Sequence, residues 1–239
     1  MIDLRRRAQA FVREEYPVAR VAFLGGSSAT GQATNSSDLD VLVILPADWD
    51  EVSFVETTTF DGQHVEAFVY GVPALERWLA KGRAERRPVL DRLIGHGIPL
   101  VGEPLARDLQ ARSQAVLAAG PEPLAESELA LRRYALSATL DDLADAAGTA
   151  EEFVLASTAW REASELSLVT DRGWLGTGKW LMRELLSNDD PYGLAAWAST
   201  AARHPAAFAE LNKLCSEVLL AAGGYLQSGF RRGSRPHGL

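Results

Sequence analysis

The sequence predicts an α/β unit with a mixed sheet over residues 1–104, followed by an all-α helical bundle over 105–228. Three observations carry this reading. Short, nearly continuous apolar runs of strand length occur only before residue 104. From Leu105 onward alanine- and leucine-rich helical patterns take over and no strand signal survives. Between them Gly120-Pro121-Glu122-Pro123 is the clearest linker signal, although it lies beyond the first helical run.

The elements follow in order. Leu4, Ala8, Phe11 and Val12 recur at helical spacing, and Pro17 ends that helix. Val21-Ala22-Phe23-Leu24, stopped by Gly25-Gly26, suits a buried strand, and a polar loop is expected over 27–37. Residues 39–45 are almost wholly apolar, the mark of a strand covered on both faces. Residues 57–60 and 64–70 flank Asp61-Gly62-Gln63 as a hairpin. Pro73 opens a helix carrying Leu75, Trp78 and Leu79, and Val89, Leu90, Leu93 and Ile94 define another. Ile98-Pro99-Leu100-Val101 contains proline and reads as an edge strand at best. Helical patterns then cover 105–119, 126–147, 151–169, 178–186, 192–202 and 205–226. The tail, 229–239, lacks an apolar pattern and is expected to be disordered.

Composition narrows the function classes. Apolar residues make up 47% and charged residues 23% of the 239, an ordinary globular balance. No apolar run is long enough to span a bilayer, and no apolar region follows Arg5, Arg6 and Arg7 as a signal peptide would require. One cysteine, Cys215, can build neither an internal disulfide nor a zinc site, so a cytoplasmic protein is expected. Net charge is 24 − 32 = −8, the wrong sign for a nucleic-acid partner.

The informative stretch runs from Gly25-Gly26-Ser27-Ser28 to Ser37-Asp38-Leu39-Asp40. Two acids at i and i+2 at the mouth of an apolar strand project from one face of the sheet. Unpaired they repel each other and lose solvation, and a hard divalent cation resolves that conflict. The glycines allow phosphate to approach backbone N–H groups, and serine hydroxyls add donors. A third acid, Glu66, stands mid-strand among apolar neighbours, where it could complete a metal site or accept a proton.

The Gly-Gly-Ser turn, the eleven-residue step from Ser27 to Asp38, the Ser-Asp-x-Asp strand start and the later strand-borne Glu66 resemble the polymerase-β-type nucleotidyltransferase superfamily. Within it the sequence is most similar to the streptomycin/spectinomycin-type aminoglycoside adenylyltransferases. The core of the resemblance spans 23–70; the helical half is similar mainly through Trp174-Leu175-Gly176-Thr177-Gly178-Lys179. The resemblance implies that Gly26 and Ser27, with Ser28 as an alternative hydroxyl, hold triphosphate. It implies that Asp38 and Asp40 bind Mg²⁺ (two ions), with Glu66 as third carboxylate and candidate base. Lys179 would reach nucleotide phosphate, with Arg161 as its companion.

The expectation is Mg²⁺-dependent transfer of AMP from ATP to a hydroxyl of a small, aminoglycoside-like molecule, an antibiotic-resistance activity, with release of pyrophosphate. The alternative is a protein-modifying or antitoxin-type nucleotidyltransferase, against which the long helical half argues. Neither nucleic acid nor membrane is expected as a partner, and nothing in the sequence sets the oligomeric state. Bland readings cover the rest. His64, His96, His204 and His237 show no ligand spacing, and Arg83, Arg86 and Arg87 read as a solvated helix face. Trp160, Trp174, Trp180 and Trp197 read as packing residues, and Cys215 as an inert core thiol.

Overall fold

The computed structural model describes residues 2–31, 37–201 and 208–234. The middle of the expected loop (32–36), the stretch 202–207 with His204, and the last five residues with His237 lie outside the described residues. The chain divides into two compact units, Met1–Pro121 and Glu122–Leu239.

The first unit is a five-stranded mixed sheet in the order β3-β4-β2-β1-β5. Its strands are β1 (Val21–Leu24), β2 (Leu39–Ile44), β3 (Ser53–Phe60), β4 (Gln63–Tyr70) and β5 (Ile98–Val101). Only β2 and β4 run parallel; the other neighbours are antiparallel. The hairpin turns through Asp61 and Gly62, both at positive φ, and the edge position expected for the proline-bearing β5 is observed.

Alternation along the strands divides the core into two layers. Leu39, Val41, Val43, Val65, Ala67 and Val69 pack on Ala8, Phe11 and Val12 of α1 (Ile2–Glu15). On the opposite face Phe23, Leu42, Ile44 and Tyr70 meet α3 (Val72–Ala84) and α4 (Val89–Gly95). Because β2 is buried on both faces, it reads as one continuous apolar run.

Three sequence expectations are corrected here. Residues Gly26–Thr30 form a short helix, α2, where a loop was expected; Gly31 at φ 74° closes it in a left-handed cap. The domain boundary expected at 104/105 falls instead at Pro121, because α5 (Glu103–Ala119) packs back on the sheet unit. Ala106 is in the sheet core, and the Gln110 and Gln114 side-chain amides donate to the Gly97 and Gly95 carbonyls (2.7 and 2.8 Å). The arginine group is no solvated face. Arg83 grips Asp91 through Nε and Nη2 (2.9 and 2.7 Å), Asp91 is fully buried, and Arg86 is 7% exposed. The paired carboxylate raises the Arg83 pKa further.

The second unit consists of helices α6 (Glu126–Asp145), α7 (Glu151–Thr170), α8 (Lys179–Ser187), α9 (Leu194–Ala201) and α10 (Phe208–Ala221) around an apolar core. Cys215 lies inside that core, where burial pushes its thiol pKa up to about 12. The segment after α10 docks further than expected. Arg133 donates to the Gly223 and Gly224 carbonyls, the Leu226 N–H donates to Ser137 Oγ (3.0 Å), and Phe230 stacks on Tyr134. Among the described residues no helix is long and apolar enough to cross a membrane.

Candidate active site

The site is laid out by register. Asp40 on β2 and Glu66 on β4 are parallel Cα partners, and Thr57 on β3 is the antiparallel partner of Glu66. The row Asp40–Glu66–Thr57 therefore lies on one face, each step about 4.8 Å across the sheet. It is the face on which Leu42, Phe68 and Tyr70 meet the helices, so the carboxylates stand at the end of an apolar floor. Both Asp40 and Glu66 are half-buried, whereas Asp38, two residues earlier at the mouth of β2, is exposed. Among the described residues no hydrogen bond or ion pair engages the Glu66 carboxylate.

The two glycines after β1 make room for different neighbours. A Cβ on Gly25 would stand 2.4 Å from Leu93 Cδ2 of α4, while the Gly25 N–H extends the ladder to the Asp40 carbonyl (2.7 Å). Gly26 sits at φ +60°, and a Cβ there would fall 1.6 Å from Asp40 Oδ2. The Asp40 carboxylate thus occupies the space that a side chain at residue 26 would fill. Ser27 and Ser28 follow in α2, 8% and 2% exposed. Ser28 Oγ donates to the Asp38 carbonyl (3.3 Å), so its hydroxyl holds the second acid's backbone.

The expected three-carboxylate cluster is not gathered. Among the described residues no three His, Cys, Asp or Glu side chains stand together so as to hold a metal ion. Asp38 and Asp40 nevertheless suit a cation that takes a few carboxylates and completes its shell with water and phosphate oxygens, as Mg²⁺ does. The space that Gly26 leaves for the Asp40 carboxylate fits that role.

The two cations expected at the nucleotide phosphate, Lys179 and Arg161, belong to the second unit. Lys179 is exposed and is the first residue of α8. Arg161 on α7 is exposed and faces Glu162 and Glu165 at 3.7 and 3.8 Å. Thr139 Oγ1 donates to Glu162 Oε2 (2.8 Å), and Arg132 donates to Glu165 (3.2 Å). Trp160 Nε1 donates to the Leu194 carbonyl (2.9 Å), a packing role as expected. His64 is exposed beside Thr59, and His96 ends α4, where burial and the nearby Arg92 lower its pKa. Sequence reasoning missed Thr57; only strand register, not spacing, puts it beside Glu66.

Residues 5–82 match the model of the nucleotidyltransferase domain family, a span that contains Gly26, Ser27, Asp38, Asp40 and Glu66. The match takes in β1 to β4 of the N-terminal unit and supports a nucleotidyltransferase, one that uses a nucleoside triphosphate. No curated protein matches the chain. Among solved structures, a nucleotidyltransferase-like protein from Exiguobacterium sibiricum aligns with 92% of this chain and 77% of its own. The two are 16% identical, with a TM-score of 0.44.

Proposed function

We propose that the protein transfers AMP from ATP to a hydroxyl of a small, aminoglycoside-like acceptor and releases pyrophosphate. The observation that carries this reading is the pairing of Asp40, set against Gly26, with Glu66 in the next strand. Asp38 and Asp40 would hold Mg²⁺, which when bound neutralises triphosphate charge and polarises the α-phosphoryl group. Gly26 N–H and the Ser27 hydroxyl bind outer phosphate oxygens; Ser28, committed to the Asp38 carbonyl, supports the loop. Glu66 accepts the acceptor's hydroxyl proton as that oxygen attacks the α-phosphorus and the bond to the pyrophosphate oxygen breaks. Lys179 contacts nucleotide phosphate, with Arg161 in a lesser role.

A general base contributes about 10² to 10⁴-fold in rate. Glu66→Gln keeps the side-chain size and removes the charge, so turnover falls by a factor in that range with little change in Mg·ATP affinity. Pyrophosphate release from Mg·ATP, measured with streptomycin, spectinomycin and further aminoglycosides, checks the reaction and the acceptor together. Loss of Mg·ATP binding by Glu66→Gln would make Glu66 a metal ligand instead. Release with no aminoglycoside but with a protein acceptor would overturn the small-molecule reading.

A further inference from the structure

The outer edge of β3 is open. β3 is a terminal strand of eight residues, pairs with β4 without a register shift, and is exposed at seven positions from Ser53 to Thr59. The Gly71 N–H donates to the Val52 carbonyl (2.9 Å), and the hairpin closes on the Phe60–Gln63 pair. Alternation along an antiparallel ladder then sends the amides of Phe54, Glu56, Thr58 and Phe60 toward β4. Those of Ser53, Val55, Thr57 and Thr59 point outward. Edge strands ordinarily carry lysine, proline or a bulge that blocks further pairing. β3, Ser-Phe-Val-Glu-Thr-Thr-Thr-Phe, has none of these.

We propose that a second copy of this chain pairs with β3, antiparallel across a two-fold axis through Thr57. The side chains favour that register over the one in which the strand's single charge meets itself. With Thr57 opposite Thr57 of the partner subunit, Val55 faces Thr59 of the partner subunit through the outward amides. Glu56, the strand's single charge, faces the partner's Thr58. On the α1 side Phe54 meets Phe60 of the partner subunit. Phe60 already lies edge-on to Phe11 (5.4 Å), so the incoming ring extends an existing aromatic cluster. Slipping the register by two puts Glu56 directly opposite the partner's Glu56, a repelling pair. The chosen pairing makes one continuous sheet with both Glu66 rows on the same face. Thr57 of the partner subunit then stands two strand spacings, about 10 Å, from Glu66, so each copy widens the floor beside the other's site.

Sedimentation velocity on the full chain at micromolar concentration tests this, and a dimer is expected. The V55K/T59K double variant sets lysines opposite lysines at two positions and weakens the dimer by up to about thirtyfold. The V55E/T59E variant behaves likewise, and mixing the two restores a heterodimer, since each lysine then faces a glutamate. Amide exchange on the unmodified protein gives an independent reading. Protection at Val55, Thr57 and Thr59 rises with protein concentration, while Phe54, Glu56 and Thr58 are protected throughout. A wild-type monomer across the micromolar range, a dimer indifferent to the lysine pair, or outward amides insensitive to concentration would each overturn the proposal. Each outcome is read without substrate, so failure here is separable from failure of the enzymatic reading.

Discussion

Carboxylates are handled in opposite ways in the two units. Along the α6–α7 seam of the helical unit, Glu165 lies between Arg132 and Arg161, and Glu162 accepts from Thr139. At the mouth of the sheet, Glu66 is half-buried with no partner among the described residues, and Asp40 is fitted against a glycine. Desolvating a carboxylate is costly unless something compensates it. In the helical unit the chain supplies the compensation itself. At the sheet it leaves the Glu66 charge without a protein partner among the described residues, inside the stretch that matches the nucleotidyltransferase model. The sheet unit also contains its own counterexample: Asp91, more deeply buried than either site acid, is clamped by Arg83. Burial alone does not mark a functional acid; burial without a protein partner does.

The largest effect should come from Asp40→Asn. The change keeps the size of the side chain and the fit against Gly26 but removes the charge. Transfer should drop by about 10³-fold or more, with the thermal melt little altered. Steady-state pyrophosphate release beside a calorimetric scan checks both. Near-normal turnover would put Asp40 in the same structural category as Asp91.

Asp91→Asn makes the reverse prediction. Removing one partner of a buried ion pair costs about 3 to 5 kcal/mol, and because Arg83 is partly exposed the lower end applies. Urea unfolding should register a loss of about 3 kcal/mol, while kcat of the remaining folded protein holds. If stability were unchanged and activity fell, the structural role of the Arg83–Asp91 clamp would fail.

Much of this contrast was legible in the sequence, for identifiable reasons. Asp40 and Glu66 interrupt apolar strand runs, and an acid where period-2 burial demands an apolar residue is visible without a structure. The Arg83–Asp91 clamp was not, since it spans a turn with Arg86 at φ 59° and has no helical spacing. The placement of α5 was missed because its composition resembles the later helices; Ala106 in the sheet core and the bonds from Gln110 and Gln114 to the Gly97 and Gly95 carbonyls tie it to the sheet. The role of Ser28 turned on a single side-chain bond to the Asp38 carbonyl, which spacing cannot specify.

The smallest effects separate two cations of the helical unit, Lys179 and Arg161, both assigned to nucleotide phosphate by resemblance. Lys179 opens α8, where the helix dipole disfavours a positive charge by about 0.3 to 1 kcal/mol. Among the described residues no carboxylate offsets that, so an anionic ligand is the natural compensation. Arg161 already faces Glu162 and Glu165. A hydrogen bond to a charged group contributes about 1.5 to 3 kcal/mol, so Lys179→Ala should raise the KM for ATP about tenfold or more. Arg161→Ala removes an exposed pair of the kind that contributes at most about 1 kcal/mol, and Arg132 still holds Glu165. Its KM for ATP should change less than about fivefold. Measuring both variants at saturating acceptor sharpens the comparison of the two units. Equal, large increases would mean that Arg161 leaves its carboxylates for the nucleotide, and that the seam between α6 and α7 is a binding surface.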